Sequence, residues 1–192
     1  VSDSNEVIEV SNWITDLENS RLIKEGTVEM MPSIESSKGV VNAYMIANAS
    51  PRVSALVFGV FDFLFDMGLD YGEDGVEHNY ARMKVPVDAR AAGVYAIDSI
   101  WQKIDEVNGF IKDATAGMKL GYKGKSIIHP SQIEPVHKIF VPNKEEVEWA
   151  KKVVDALTDS IRRGKGAVTL EGKMIDAVHY KRAKAVLEAV NG

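Results

Sequence analysis

The chain has 192 residues, is 45% hydrophobic, and sets 23 Lys and Arg against 28 Asp and Glu for a formal net charge of −5. That is enough for one well-buried domain, since a domain of about 150 residues already buries roughly 70% of its unfolded surface. Charges of both signs are spread along the whole length with no basic stripe, which argues against nucleic acid as a partner. The absence of cysteine rules out disulfides, thiolate metal sites and a cysteine nucleophile, so a metal would have to be held by oxygen or histidine. The longest apolar stretch, Ser54 to Leu64, is broken by Asp62 and falls short of the ~20 residues of a bilayer span. The opening Val1-Ser2-Asp3-Ser4-Asn5-Glu6 has neither the basic start nor the apolar core of a signal peptide. A cytoplasmic protein without a membrane partner is expected, or a mitochondrial-matrix protein if the source is eukaryotic.

In chain order, Val7, Ile8, Val10, Trp13, Ile14 and Leu17 recur at helical spacing and predict a helix from Ser4, as N-cap, to Asn19. Thr27 to Ile34 reads as a short buried strand, followed by a helix from about Ser37 to Ala49. Val53 to Gly59 is a second β-branched strand; a polar loop with Gly68, Gly72 and Gly75 leads to a helix over His78 to Ala92. A third strand is expected at Val94 to Ile97, a helix at Ile104 to Leu120, and a fourth strand at Lys125 to Ile128. A short helix from about Ser131 and a longer one from Lys144 to Ile161 follow. Short strands alternating with longer helices indicate a parallel sheet covered by helices, hence an α/β protein. Gly164, Gly166 and Gly172 loosen the chain after the last long helix, and Met174 to Val190 is expected to form a final helix outside the alternation.

Periodicity alone does not separate an open doubly wound sheet from a barrel, but in both the carboxyl ends of the strands hold the ligands. Glu35 follows the first strand, Asp62 the second, Asp98 ends the third and His129-Pro130 the fourth. Two carboxylates from adjacent parallel strands can converge on one hard cation that keeps water or substrate oxygens in its other positions. Equally, Glu35 could cap the following helix and Asp62 could close an exposed loop.

Four segments narrow that choice. Met31-Pro32-Ser33-Ile34-Glu35-Ser36-Ser37-Lys38-Gly39-Val40-Val41-Asn42 resembles the Ile-Glu-(Ser/Thr)-Ala-x-Gly-(Val/Leu)-x-Asn segment of the citrate lyase beta-subunit, malyl-CoA lyase and citramalyl-CoA lyase family within the HpcH/HpaI aldolase superfamily, with Ser37 where alanine is common. Phe58-Gly59-Val60-Phe61-Asp62 is similar to that family's Phe-Gly-x-x-Asp. Ala89-Arg90-Ala91-Ala92-Gly93-Val94-Tyr95-Ala96-Ile97-Asp98 and Gly121-Tyr122-Lys123-Gly124-Lys125-Ser126-Ile127-Ile128-His129-Pro130 are the third and fourth matches, in the same order. The resemblance implies a TIM (β/α)8 barrel of the phosphoenolpyruvate/pyruvate type, with Glu35 and Asp62 as ligands of Mg2+, or of Mn2+. It implies a carbon–carbon lyase that cleaves a β-hydroxyacyl-CoA to an acyl-CoA and a 2-oxoacid, with the thioester recognised at Phe61, Ile128, His129 and Pro130. Asp98 is expected to be structural, the His129 ring to order its loop, and His78, His137 and His179 to be ordinary surface or helix residues.

The tail Val168-Thr169-Leu170-Glu171-Gly172-Lys173-Met174-Ile175-Asp176 is similar to a carboxy-terminal lid with a Gly-Lys-Met-(Ile/Gln)-Asp signature. The resemblance implies that Asp176 crosses into a neighbouring subunit's site as the catalytic acid or base. That in turn implies a homotrimer or hexamer exchanging lids; short citrate lyase beta subunits are expected to lack the lid. The alternative for Asp176 is to N-cap the last helix. Residues 1–162 are thus expected to form the C-terminal half of a barrel and 163–192 the lid. Four earlier strand–helix units are expected to be missing, and the chain alone to be inactive, because a complete barrel typically needs ~250 residues. The rival readings are a class II pyruvate-type aldolase on free 2-oxoacids and a non-catalytic assembly subunit. Hydrolysis of the thioester, in place of cleavage, is a further variant.

Overall fold

The structure, a computed structural model, describes residues 1–72 and 74–191, and its contacts divide the chain into two compact units, Val1–Val136 and His137–Gly192. In the first unit, helix α1 (Ser4–Ser20) has its cap one residue before the expected Ser4. Asp3 is the N-cap: its carboxylate accepts from the Asn5 amide, and Glu6 completes a capping box. Four strands follow, β1 (Ser33–Ile34), β2 (Ala55–Phe58), β3 (Tyr95–Asp98) and β4 (Gly124–Lys125), all parallel and in the sheet order β1-β2-β3-β4. Each strand therefore lies beside its predecessor, as in a barrel wall; a doubly wound sheet reverses direction part-way.

Strand β1 is much shorter than the expected Thr27–Ile34. Met30 makes only an isolated bridge to Val53, and Pro32, which has no amide hydrogen, interrupts the ladder between that bridge and Ser33. Helices α2 (Ser37–Ala47), α4 (Asn79–Ala92) and α5 (Val107–Leu120) form the crossovers. Ile34, Leu56 and Phe58 from the sheet are almost fully buried with Val40, Ala43 and Ile46 of α2 and Val85 and Ala89 of α4. A helix not expected from sequence, α3 (Val60–Met67), begins immediately after β2. Its first turn carries Asp62, and it ends at Gly68, whose φ of 68° suits a residue without a Cβ. A 3-10 turn, Pro130–Gln132, leads into α6 (Ile133–Phe140).

In the second unit, α7 (Lys144–Arg162) opens with a capping box between Asn143 and Glu146, and α8 (Ala177–Asn191) packs beside it. Met174 and Ile175, expected to begin the last helix, instead lie in a strand: β5 (Val168–Leu170) pairs antiparallel with β6 (Lys173–Ile175). Glu171 and Gly172 connect them with φ of 48° and 78°, the primed two-residue turn that matches strand twist. Ala150, Val153, Ile175 and Ala183 form this unit's core, packed by Trp149, Val154, Val168, Leu170, Val186 and Leu187. As a compact body the tail thus includes α7, whereas the motif-based boundary falls after it, at 162. No helix among the described residues is long and apolar enough to cross a membrane.

Candidate metal and thioester site

Glu35 stands one residue beyond β1 and Asp62 in the first turn of α3, so both leave the carboxyl edge of the sheet from neighbouring strands. Glu35 is half-buried and Asp62 exposed. Gly59, which follows β2 and stands three residues before Asp62, seats the Glu35 side chain. Its amide donates to the Ile34 carbonyl at 3.0 Å, and the Glu35 side chain lies directly over its Cα. A Cβ on residue 59 would stand 2.7 Å from Glu35 Oε1 and 3.0 Å from Cδ, so the missing side chain makes the berth in which that carboxylate rests. The Ser33 hydroxyl donates to Glu35 Oε1 at 2.7 Å and fixes the carboxylate from the strand side. Glu35 does not cap α2; Ser36 does, its hydroxyl accepting from the Gly39 amide, while Asp66 of α3 accepts from the Ser37 amide at 2.7 Å. The Ser37 hydroxyl first, and then this amide, hold the Asp66 carboxyl below its ordinary range against the opposing effect of burial.

The donor set suits a hard divalent cation. Among the described residues no three His, Asp or Glu side chains gather at one point, and magnesium is commonly bound by one or two carboxylates with the rest of its octahedron filled by water and substrate oxygens.

Behind this edge lies a buried ionic cluster that sequence reading did not assemble. Arg82 of α4 donates from Nε to Asp98 Oδ1 at 3.0 Å and from Nη1 to Asp113 Oδ1 at 2.7 Å, and Lys125 of β4 contacts Asp98 at 3.1 Å and Asp113 at 2.6 Å. Asp98 is entirely buried and Lys125 nearly so. Two cations thus face two carboxylates in a dry site, a closed set with no charge left over for chemistry. Burial works against the Arg82 charge, but Asp98 and Asp113 outweigh it and its pKa rises. Burial likewise pushes Asp113 up, yet Lys125 and Arg82 bring it below the ordinary range. Asp98 is therefore structural, and Ser99 after it accepts the Val60 amide at 3.1 Å, tying α3 to β3. Periodicity placed Asp98 at a strand end, but its two cationic partners, Arg82 and Lys125, and the Asp113 they share come from three other elements and carry no sequence signal.

Ile128, His129 and Pro130 are exposed on the turn after β4. The His129 ring accepts the Ser131 amide at 3.2 Å and so orders that turn, and the Ile128 amide donates to the buried Gln132 side chain at 3.0 Å. Phe61 packs on Tyr71 with ring centroids 5.1 Å apart. His78 is not a surface residue: it is 5% exposed, beneath Tyr71 and against Phe58. In the second unit, Asp176 accepts the Val178 and His179 amides at 3.0 and 3.2 Å and contacts the His179 ring at 2.7 Å, so here it caps α8. The His179 contact, then those amides, hold its carboxyl below the ordinary range.

Residues 1–130 match the protein-family model described as HpcH/HpaI aldolase/citrate lyase. The chain belongs to this family. Among its curated HpcH/HpaI relatives, the citrate lyase subunit beta of Haemophilus influenzae is 37% identical over 183 residues, 95% of this chain and 63% of that protein. The mitochondrial citramalyl-CoA lyase of Mus musculus is 32% identical over 171 residues, 85% of this chain and 51% of the relative. The crystal structure of CitE from Mycobacterium tuberculosis in complex with magnesium, acetoacetate and coenzyme A superposes with a TM-score of 0.73 at 26% identity, over all of this chain and 66% of that one. With the four-stranded parallel sheet, these likenesses show an α/β fold that matches part of a TIM-barrel-like HpcH/HpaI protein. The chain spans somewhat under two thirds of the citrate lyase beta subunits it matches. Their matched length reaches into the tail, so the expectation that citrate lyase beta subunits lack the lid segment is corrected, and the tail does not discriminate between the two kinds of lyase.

Proposed function

We propose that this chain supplies the metal-binding half of a magnesium-dependent carbon–carbon lyase that cleaves a β-hydroxyacyl-CoA of the malyl-, citramalyl- or citryl-CoA type to an acyl-CoA and a 2-oxoacid. The observation that carries the reading is the Glu35 carboxylate seated over Gly59, three residues before Asp62, on the same strand edge. Relatives named citrate lyase beta subunit and citramalyl-CoA lyase, and a CitE structure holding magnesium and coenzyme A, support it.

In this reading Glu35 and Asp62 hold the cation, which when bound supplies Lewis-acid polarisation of the substrate's hydroxyl and carboxylate oxygens. Ser33 and Gly59 keep Glu35 from turning away, which matters because an offset of about 1 Å in a reacting geometry can cost ~100-fold in rate. The exposed turn at Ile128, His129 and Pro130, together with Phe61, receives the thioester. Asp176 is the acid that protonates the α-carbon of the departing thioester enolate, and the base in the condensation direction. Its lowered pKa suits the basic form, and a thioester that excludes water from it would favour proton uptake. Exposed Met174 and Val178, on either side of Asp176, support a tail that docks on another subunit of a trimer or hexamer. The protein's place is the cytoplasm or, in a eukaryote, the mitochondrial matrix; a relative named as a mitochondrial citramalyl-CoA lyase supports the second.

The test is cleavage of racemic malyl-CoA and citramalyl-CoA by the full-length protein with and without magnesium, beside Glu35→Ala and Asp176→Ala. Magnesium-dependent release of an acyl-CoA that both substitutions abolish is expected. Turnover of free 2-oxoacid aldols without thioester turnover would replace the reading with the aldolase; absence of both activities and of thioester binding would make the chain an assembly subunit.

A further inference from the structure

Five rings run in series between the first turn of α3, which carries Asp62, and the segment that follows that helix. Phe63 packs on Phe58 at 5.8 Å between centroids, Phe58 on His78 at 6.5 Å, His78 on Tyr71 at 5.8 Å with the planes 12° apart, and Tyr71 on Phe61 at 5.1 Å. Asp62 lies between Phe61 and Phe63, so both of its chain neighbours are anchored to this series, one at each end. His78 is the member that holds the middle. Its Nδ1 meets the Glu77 carboxylate at 3.0 Å, and the same carboxylate oxygen accepts the Gly72 amide at 2.9 Å. Gly75, at φ +68°, passes so close that a Cβ there would be 3.2 Å from two atoms of the imidazole. The loop is thereby folded over a buried histidine that lines a small cavity together with Arg82, Asp113 and Lys125 of the ionic cluster. A plain hydrophobe would fill the same space but would not engage Glu77.

We propose that His78 is a positioning residue for the metal edge: through Tyr71 it sets where Phe61 stands, and through Phe58 and Phe63 it fixes the turn of α3 that aims Asp62. Aromatic pairs of this kind are each worth a few-fold in an equilibrium, so loss of the middle ring loosens the aim of Asp62 without removing a ligand. The inference rests on the metal reading of Glu35 and Asp62.

The experiment is Mn2+ affinity of the full-length protein by electron spin resonance, together with kcat and KM for the thioester substrate, in His78→Ala, Tyr71→Ala, Glu35→Gln and Asp62→Asn. Folding of each variant is checked by thermal melting. His78→Ala and Tyr71→Ala are expected to weaken Mn2+ by about 3- to 10-fold, with KM rising more than kcat falls. Glu35→Gln and Asp62→Asn lose Mn2+ altogether. Should those two bind Mn2+ normally, the metal reading falls and this inference with it. Should they abolish binding while folded His78→Ala or Tyr71→Ala matches wild type, the positioning role alone is overturned. If His78→Ala does not fold, Tyr71→Ala decides by the same criteria.

Discussion

Gly59→Ala separates the candidate site from the stability of the fold. The backbone of Gly59, φ −109° and ψ 95°, is open to alanine, so the substitution carries no conformational strain. Its methyl group would nevertheless stand 2.7 Å from Glu35 Oε1 and 3.0 Å from Cδ, where ordinary contacts lie at 3.4–4 Å. The flexible Glu35 side chain has to swing aside by roughly 1 Å, a displacement that costs on the order of 100-fold where reacting groups must align. It also gives up the Ser33 hydroxyl, a bond worth about 1–2 kcal/mol. Urea unfolding of Gly59→Ala should therefore show a loss of only about 1–2 kcal/mol, whereas Mn2+ binding and magnesium-dependent turnover fall by about two orders of magnitude. Gly68→Ala is the converse control: nothing lies within 4 Å of a Cβ there, but φ is +68°, so about 1 kcal/mol of stability is lost and metal binding is kept. Wild-type metal affinity in Gly59→Ala would refute the berth and the role it gives to Glu35.

Other positions yield sharp expectations. Glu18, held by the buried Arg52 guanidinium and by the Val28 and Gly26 amides, has its pKa drawn from 4.5 down to about 2. Because the folded value is the lower one, its stabilisation is fully present above the ordinary carboxylate range and is lost as pH falls through about 4.5 toward 2. Carbon-detected NMR titration should find that midpoint, and Arg52→Leu should move it upward; an unshifted midpoint in the wild type would contradict the pair. Asp98→Asn leaves Arg82 and Lys125 facing one carboxylate in a dry site and should cost about 3–5 kcal/mol in urea unfolding, while a loss below 1 kcal/mol would mean that water reaches the cluster. Leu22, 96% exposed at φ 57° just past α1, sits where glycine is favoured. Leu22→Gly should raise stability by up to about 1 kcal/mol, read as a higher thermal midpoint, and a lower midpoint would show that the left-handed conformation is not strained.

The strand-end placement of Glu35 and Asp62 was legible because a carboxylate after a strand keeps its place in the order of the chain however the elements are trimmed, and four ordered segments around them carried the family. Helix α3 was not legible: Val60 to Leu64 is an apolar run broken only by Asp62, continuous with the β2 strand, and periodicity over so few residues does not separate the two. The β5–β6 hairpin was missed because its strands are three residues each and its signal is the pair Glu171-Gly172, a weaker turn former than Asn-Gly or Asp-Gly. His78 looked like a surface residue because its burial comes from a loop curling back over it at Gly75, and the Arg82, Asp113 and Lys125 set joins positions 31 and 12 residues apart in sequence. Nothing local in the sequence encodes such meetings.

Each of two strand-end carboxylates has a glycine pressed against it from another element. Gly59 faces Glu35, and Gly117 of α5 faces Asp98, where a Cβ would come within 3.0 Å of the Asp98 Cγ and 3.4 Å of Arg82 Nη2. Such pairs drift together or not at all: a methyl group at 117 becomes acceptable only after residue 98 shortens, and a shortened residue 98 strands two cations. Neutral exploration of this wall of the sheet is therefore closed to single steps at both places, and the order in which substitutions arrive decides whether a lineage can pass.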